Sequence, residues 1–387
     1  MKNNKLLFLS ALAVFSLTSC GGEVTPSVNV SSSNLESISE TVSSKEENSS
    51  EEISFEVSSE ENSSLDNVVS SDNIISSENI VSSEEMFSSE EMFSSEESIF
   101  SEESSGEIIE NEYSPVLSSS GKIVEYGLYP QTYVSDSTLV STLNSLSFAS
   151  INGWYLYEGN YYTKVTSNVF AGESYVFNNG TNIQNGNEYW FKCETIKWNV
   201  LSSNNGTYTL VSTMLLDTHN YYENYDARIS NGVTIYANNY ANSSIRSWLN
   251  EEFYNTAFAL NDSHIKVTSI DNSASTTSSK ENKYVCENVQ DKVYLLSYQD
   301  YLNANYGFDI TNSISDTRKC NTTDYVRANG AWCSSMDSTY TSTYWTRSPS
   351  SDYTYCAMNV NSGGYISSYA VNGQDHCVRP SITITIK

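Results

Sequence analysis

An α+β domain behind a long acidic tether is the architecture that this sequence predicts. Three observations carry that expectation. Composition changes sharply near Gly121: before it the chain is nearly all Ser, Glu and Asn, and beyond it lie all six Trp and 28 of the 29 Tyr. The aromatic part alternates short strand-like runs with Asn-Gly turn clusters. Two stretches within it, 137–146 and 242–258, place their apolar residues at helical spacing instead.

The chain opens with Lys2 and Lys5 ahead of an apolar run, 6–17, that is too short to span a bilayer as a permanent helix. This run ends in Leu17, Thr18, Ser19 and Cys20. That ending, LTSC, resembles the lipobox of bacterial lipoproteins. The resemblance implies cleavage before Cys20, a diacylglyceryl group on its thiol, and a lipid-anchored protein on the extracytoplasmic face of the cell membrane. One acyl chain holds a protein only marginally, since each buried methylene contributes about 0.8 kcal/mol, whereas two or three hold it firmly. The expected division is therefore a signal peptide over 1–19, a tether over 20–120 and a globular domain over 121–387.

The tether holds most of the charge. Residues 21–120 carry 24 Asp plus Glu against the single Lys45, a balance of −23, while 121–387 contribute −7 and the signal peptide +2 to the total of −28. Such acidity excludes nucleic acid and anionic lipid as partners of this segment. The hexapeptide SSEEMF occurs at 82–87 and again at 88–93. A six-residue period fits neither a heptad nor a helical stripe, and so few apolar residues cannot offset the entropy of ordering. A disordered spacer is expected, with a root-mean-square reach of about 55 Å.

Beyond Gly121, GLYPQT (127–132) reads as a short extended piece punctuated by Pro130. Leu139, Leu143 and Leu146 then share one side of the first helix. Strand-like runs follow at 154–157, 161–165, 188–193, 196–202 and 207–213, the last two joined by Asn204, Asn205 and Gly206 in a hairpin. In the second helix Ile245, Trp248, Leu249 and Phe253 form the buried face, and Ser243 or Ser244 caps it. A strand at 292–297, short helices at 298–305 and 324–329, and glycine-bearing strands from Tyr344 onward complete the domain.

The ordered series GLYPQT, IKWNVL, SSIRSWLNEEF, DKVYLLS, TDYVRANG, TRSPS and CVRPSI resembles an uncharacterised bacterial domain of unknown function, found on exported and surface proteins. That domain is in turn similar to the C-type-lectin-like fold of formylglycine-generating enzymes. The resemblance implies two main helices packed on small, twisted antiparallel sheets. It does not bring the activity, because no motif here reproduces the copper-binding Cys pair of those enzymes, and the calcium and sugar motifs of true C-type lectins are absent.

Few residues announce chemistry. Six Cys remain besides Cys20, and an even number outside the membrane permits disulfides. Cys356 and Cys377 are the first candidate pair, Cys320 and Cys333 the second, with buried free thiols as the alternative. No CxxC or HExxH spacing occurs, so neither metal nor cofactor is expected. Asp375 and His376, if on a strand, point to opposite faces and make no acid/base couple. Arg246, Arg347 and Arg379 are candidates for an anion-binding cluster. The alternative is that they tie loops to carbonyls or to Asp291 and Asp324. Trp198, Trp248 and Trp345 are expected in the core.

The function that follows is a noncatalytic surface module binding a glycan, peptide or partner protein through Tyr- and Asn-rich loops. An exported enzyme of unrecognised type and an envelope scaffold without a small ligand are the alternatives. Replacing Cys20 by Ser is expected to move the protein from the membrane to the soluble fraction on cell fractionation; retention in membranes after a high-salt wash would refute the anchor.

Overall fold

The computed structural model describes residues 113–334 and 340–386; the expected signal peptide and lipid-attachment residue Cys20, and the expected tether up to residue 112, lie outside the described residues. In chain order the strands are β1 (Val116–Leu117), β2 (Ile123–Tyr133), β3 (Tyr155–Tyr157), β4 (Asn160–Thr166), β5 (Glu188–Asn204), β6 (Thr207–Ser212), β7 (Asp217–Thr218), β8 (Arg228–Ser230), β9 (Val233–Ile235), β10 (Thr268–Ile270), β11 (Val289–Asp291), β12 (Val293–Tyr294), β13 (Tyr344–Pro349), β14 (Cys356–Val360), β15 (Ile366–Ala370), β16 (Cys377–Val378) and β17 (Ser381–Thr385). The α-helices are α1 (Ser137–Ser145), α2 (Ser244–Trp248), α3 (Tyr254–Ala257) and α4 (Asp324–Ala328).

Eight strands form the main sheet, in the order β1-β2-β5-β6-β17-β12, with β4 on the first half of β5 and β3 beyond it. The sheet curls into a half-barrel. A five-stranded sheet runs β15-β14-β13-β16-β7, and β8-β9 and β10-β11 are separate pairs. β1 precedes Gly121 and pairs with β2, so the folded unit includes Val116.

This architecture corrects the α+β, C-type-lectin-like expectation, for the protein is mostly β and its helices are accessory. The reason lies in β5. The sequence suggests two short runs broken at Glu194 and Thr195, yet β2 pairs with both residues and fuses the runs into one 17-residue strand. Phe191, Cys193, Ile196 and Trp198 face the core along it. Pro130 lies inside β2, where a register shift between Pro130 and Thr132 spares the ladder the missing N–H.

The second predicted helix is present but divided. α2 passes through a π turn, Leu249–Phe253, into α3, and Ser243 caps it by accepting from the Arg246 N–H at 3.3 Å. Ile245, Leu249 and Phe253 are buried. α1 covers a satellite cluster of Val134, Leu143, Tyr162 and Trp190, with Asp136 as its cap. Asn205 and Gly206, both at positive φ, turn β5 into β6 as the sequence suggests.

Neither expected disulfide forms. Cys193, Cys286, Cys320, Cys333 and Cys377 are free thiols. β13 lies between β14, which carries Cys356, and β16, which carries Cys377. Two strand spacings come to about 9.6 Å, beyond the roughly 7 Å that a disulfide spans between Cα atoms. Cys320 and Cys333 are parted in the same way by Ser342, whose N–H donates to Cys320 O while Cys333 bridges its other side. Among the described residues no helix is long and apolar enough to cross a membrane.

Gly127 is a fixed point of the main sheet. Its φ is +74°, and a Cβ there would lie 2.7 Å from Phe258 Cε1 and 2.8 Å from Ala257 O. Gly127→Ala is expected to cost more than about 2 kcal/mol, because strain and overlap add; urea unfolding of the two proteins measures it.

Candidate functional site

The short strand β7 sets the floor of a groove. Leu215 and Leu216 are buried ahead of it, which fixes the chain where Asp217, Thr218 and His219 follow. The α2–α3 segment supplies one rim through Trp248, Glu251 and Glu252. β2 contributes Tyr129, and α4 and the turn after it contribute Tyr325 and Asn329. Three adjoining hollows result. The first, about 410 Å³, lies between His219, Tyr222 and Glu223 on one side and Trp248, Glu251 and Glu252 on the other. A second, about 350 Å³, is walled by Tyr129, Trp154, Asp217, Phe253, Tyr325 and Asn329 and shares Trp248 and Glu252 with the first. The third, about 470 Å³, joins the second at Thr218 and Asn329 and reaches Phe170, Gln374 and Asp375. No Lys or Arg lines any of the three.

Asp217 is the buried charge of this groove. Its carboxylate accepts from the Tyr129 hydroxyl, from the Thr218 N–H at 2.8 Å and from Asn329 Nδ2 at 2.8 Å. Burial still pushes its carboxyl above the usual range, because desolvation outweighs these bonds. Tyr129 stays protonated for the same reason, with the Asp217 charge adding to it. His219 lies against Trp248, ring centroids 5.0 Å apart, and its Nδ1 is 2.6 Å from Asn220 O.

Asp375 and His376 do meet, contrary to the strand reading. They fall in the turn before β16, and His376 Nδ1 lies 3.3 Å from Asp375 Oδ1. Burial pushes the Asp375 carboxyl up, but the bond and charge of His376 outweigh it and hold the group below its usual range. The far nitrogen of His376 is 2.9 Å from Asn359 Nδ2, and Trp345 stacks on the ring at 4.3 Å. His376 is thereby fixed on both edges and one face.

The three sequence-predicted arginines lie elsewhere. Arg246 forms a bidentate pair with buried Asp291, at 2.7 and 3.1 Å, and donates to Ala241 O. Arg347 donates to Leu295 O at 2.9 Å and to Asp300 Oδ2 at 2.7 Å. Arg379, 4% exposed, donates to Ser212 O and to the Tyr344 hydroxyl. None of them lines the groove. Asp324 pairs with Arg327 instead. Trp198 and Trp345 are fully buried, while Trp248 is half-buried at the groove. Among the described residues no group of three or more His, Cys, Asp or Glu is placed to hold a metal ion.

A family model described as a domain of unknown function, DUF6273, matches residues 163–386, more than half of the chain. The chain belongs to this family. No curated protein and no solved structure matches it. The DUF6273 region supplies β7, the Trp248 rim and the α4 end of the groove. Tyr129 and Trp154 stand before residue 163, so the second hollow has one wall outside the matched region. Sequence reasoning missed Asp217 because its signal, an acid closing the apolar run Met214, Leu215, Leu216, is common in any strand end.

Asp217 gives the groove a pH signature. With a raised folded pKa, its contribution to stability is complete below the unfolded carboxyl pKa and is lost as pH rises through the folded value. Asp217→Asn keeps an acceptor for Thr218 and Asn329 and offers Tyr129 an amide donor. Urea unfolding is expected to show the variant gaining on the parent as pH rises through the carboxyl range; a pH-independent difference would contradict the burial account.

Proposed function

We propose that this protein is a lipid-anchored, extracytoplasmic binding module whose DUF6273 domain holds a glycan in the groove around Trp248. The observation that carries this reading is the lining itself. Trp248 and Tyr325, both half-buried, line the hollow beside Asn329 and Thr218, with the buried rings of Tyr129 and Trp154 and the Asp217 carboxyl behind them, and a sugar needs such apolar faces next to fixed donors and acceptors. Support for the anchor comes from Cys20 and its lipobox-like surroundings, and for the reach from the acidic tether. The reading is noncatalytic because Asp217 already accepts three bonds from within the protein.

A second reading, hydrolysis of the bound glycan, is favoured by one observation: Asp217, with its raised carboxyl, and Glu252 line the same hollow. Glycoside hydrolysis uses such a pair of carboxyl groups.

Glycan-array screening followed by calorimetry is expected to find a ligand whose affinity falls at least about tenfold, ~1.4 kcal/mol, in Trp248→Ala. Unchanged affinity would remove the groove from the function. Release of reducing ends from the bound glycan, abolished by Glu252→Gln, would establish the second reading in place of the first.

A further inference from the structure

The groove has a chemical bias that the binding reading leaves open. All its ionisable side chains other than His219 and the three tyrosines Tyr129, Tyr222 and Tyr325 are carboxyl groups: Asp217 at the floor, Glu251 and Glu252 on the Trp248 rim, Glu223 across the first hollow from them and Asp375 in the third hollow. None of the nearby cations lines it, and of these Arg228 comes nearest, resting against the lining residues Tyr222 and Asn242. Lys164 belongs to β4, but its side chain leaves the strand on the face opposite Thr163 and Val165 and pairs with Glu188 at 3.1 Å. Arg228 donates to Asn242 O at 2.7 Å and lies over the Tyr222 ring. Arg327 is buried against Asp324.

Trp248 and Glu252, one helical step of four residues apart, form the ridge shared by the first two hollows. A ring resting on Trp248 therefore has Glu252 on the same ridge and Glu251 toward the first hollow. An anionic substituent there would meet the carboxylates of Glu251 and Glu252, and an N-acetyl group would bring no charge to complement them. A protonated amine would meet carboxylates and the indole face together, and both attract it.

We infer that the glycan is an oligomer of 2-amino sugars with free amino groups, seated with a ring against Trp248 and its ammonium toward Glu251 and Glu252. This rests on the glycan-binding reading and adds the charge of the ligand. Proteins that meet such polymers through exposed acids alone would bind any polycation; the aromatic ridge is what makes this surface prefer a sugar.

The test uses the full chain, whose 24 tether carboxylates attract every polycation equally in all variants. Calorimetry at mildly acidic pH compares a glucosamine tetramer, its fully N-acetylated counterpart and tetralysine, each against the parent, the double variant Glu251→Gln/Glu252→Gln, and Trp248→Ala. The expected result is about tenfold tighter binding of the glucosamine tetramer than of the N-acetylated one, a preference that the double variant abolishes and that the salt response follows. Trp248→Ala is expected to weaken both tetramers. Equal or tighter binding of the N-acetylated tetramer overturns the amino-sugar inference and leaves glycan binding standing. Tetralysine binding that exceeds both tetramers and is lost in the double variant overturns both readings. A preference that persists unchanged in the double variant assigns the effect to the tether and overturns the inference. Circular dichroism of each variant excludes misfolding as the cause of a loss.

Discussion

Long irregular segments can be buried only if their carbonyl groups find donors, and in this domain arginine provides them. Arg318 is fully buried and donates to the carbonyls of Gly364, Tyr301, Asp309, Thr311 and Ser313, thereby fastening the loop 309–313 to the turn between β14 and β15. Arg347, Arg379 and Arg327 repeat the device at other junctions between loops and sheets. A guanidinium has five N–H donors in a rigid fork, so a single side chain can satisfy several carbonyls that no strand pairs with. The cost of burying the charge is offset only while every one of those bonds is in place, which couples distant loops to one another.

The groove depends on this scaffolding at one remove. Arg327 holds α4 against the 178–180 turn through Asn178 and Asp324, and α4 carries Tyr325 and leads to Asn329. Arg246, locked to Asp291, fixes the start of the helix whose second turn bears Trp248. The arginines are thus positioning groups for a site they do not touch. They sit in the most distinctive motifs of the sequence, while the groove-lining residues they hold in place look ordinary.

Much of the local structure was legible before any coordinates. The leucine spacing of α1, a serine cap on the second helix, the 204–206 hairpin and a buried helix face all follow from short-range rules; the cap is Ser243, and of the four expected face residues Ile245, Leu249 and Phe253 are buried while Trp248 is half-buried. The sheet was not legible, because pairing is long-range: Glu194 and Thr195 look like a break until β2 is beside them. The same limit hid the groove, whose walls come from residues between Tyr129 and Asp375, and misjudged Asp375 and His376, which occupy a turn rather than a strand. Proximity of Cys356 and Cys377 in sequence likewise said nothing about the strand that separates them.

The placement of β17 has a consequence for biogenesis. Among the described residues it lies between β6 and β12 and makes the ladder that each of them has on that side of the sheet. A polypeptide delivered amino end first therefore presents β6 as an open edge until residues 381–385 arrive, and contacts of such long sequence separation form late. β1 to β6 can pair among themselves, but the half-barrel stays open along β6 until then. While residues 381–385 are still inside the ribosome, the sheet is unfinished along β6, and its closure waits for their release.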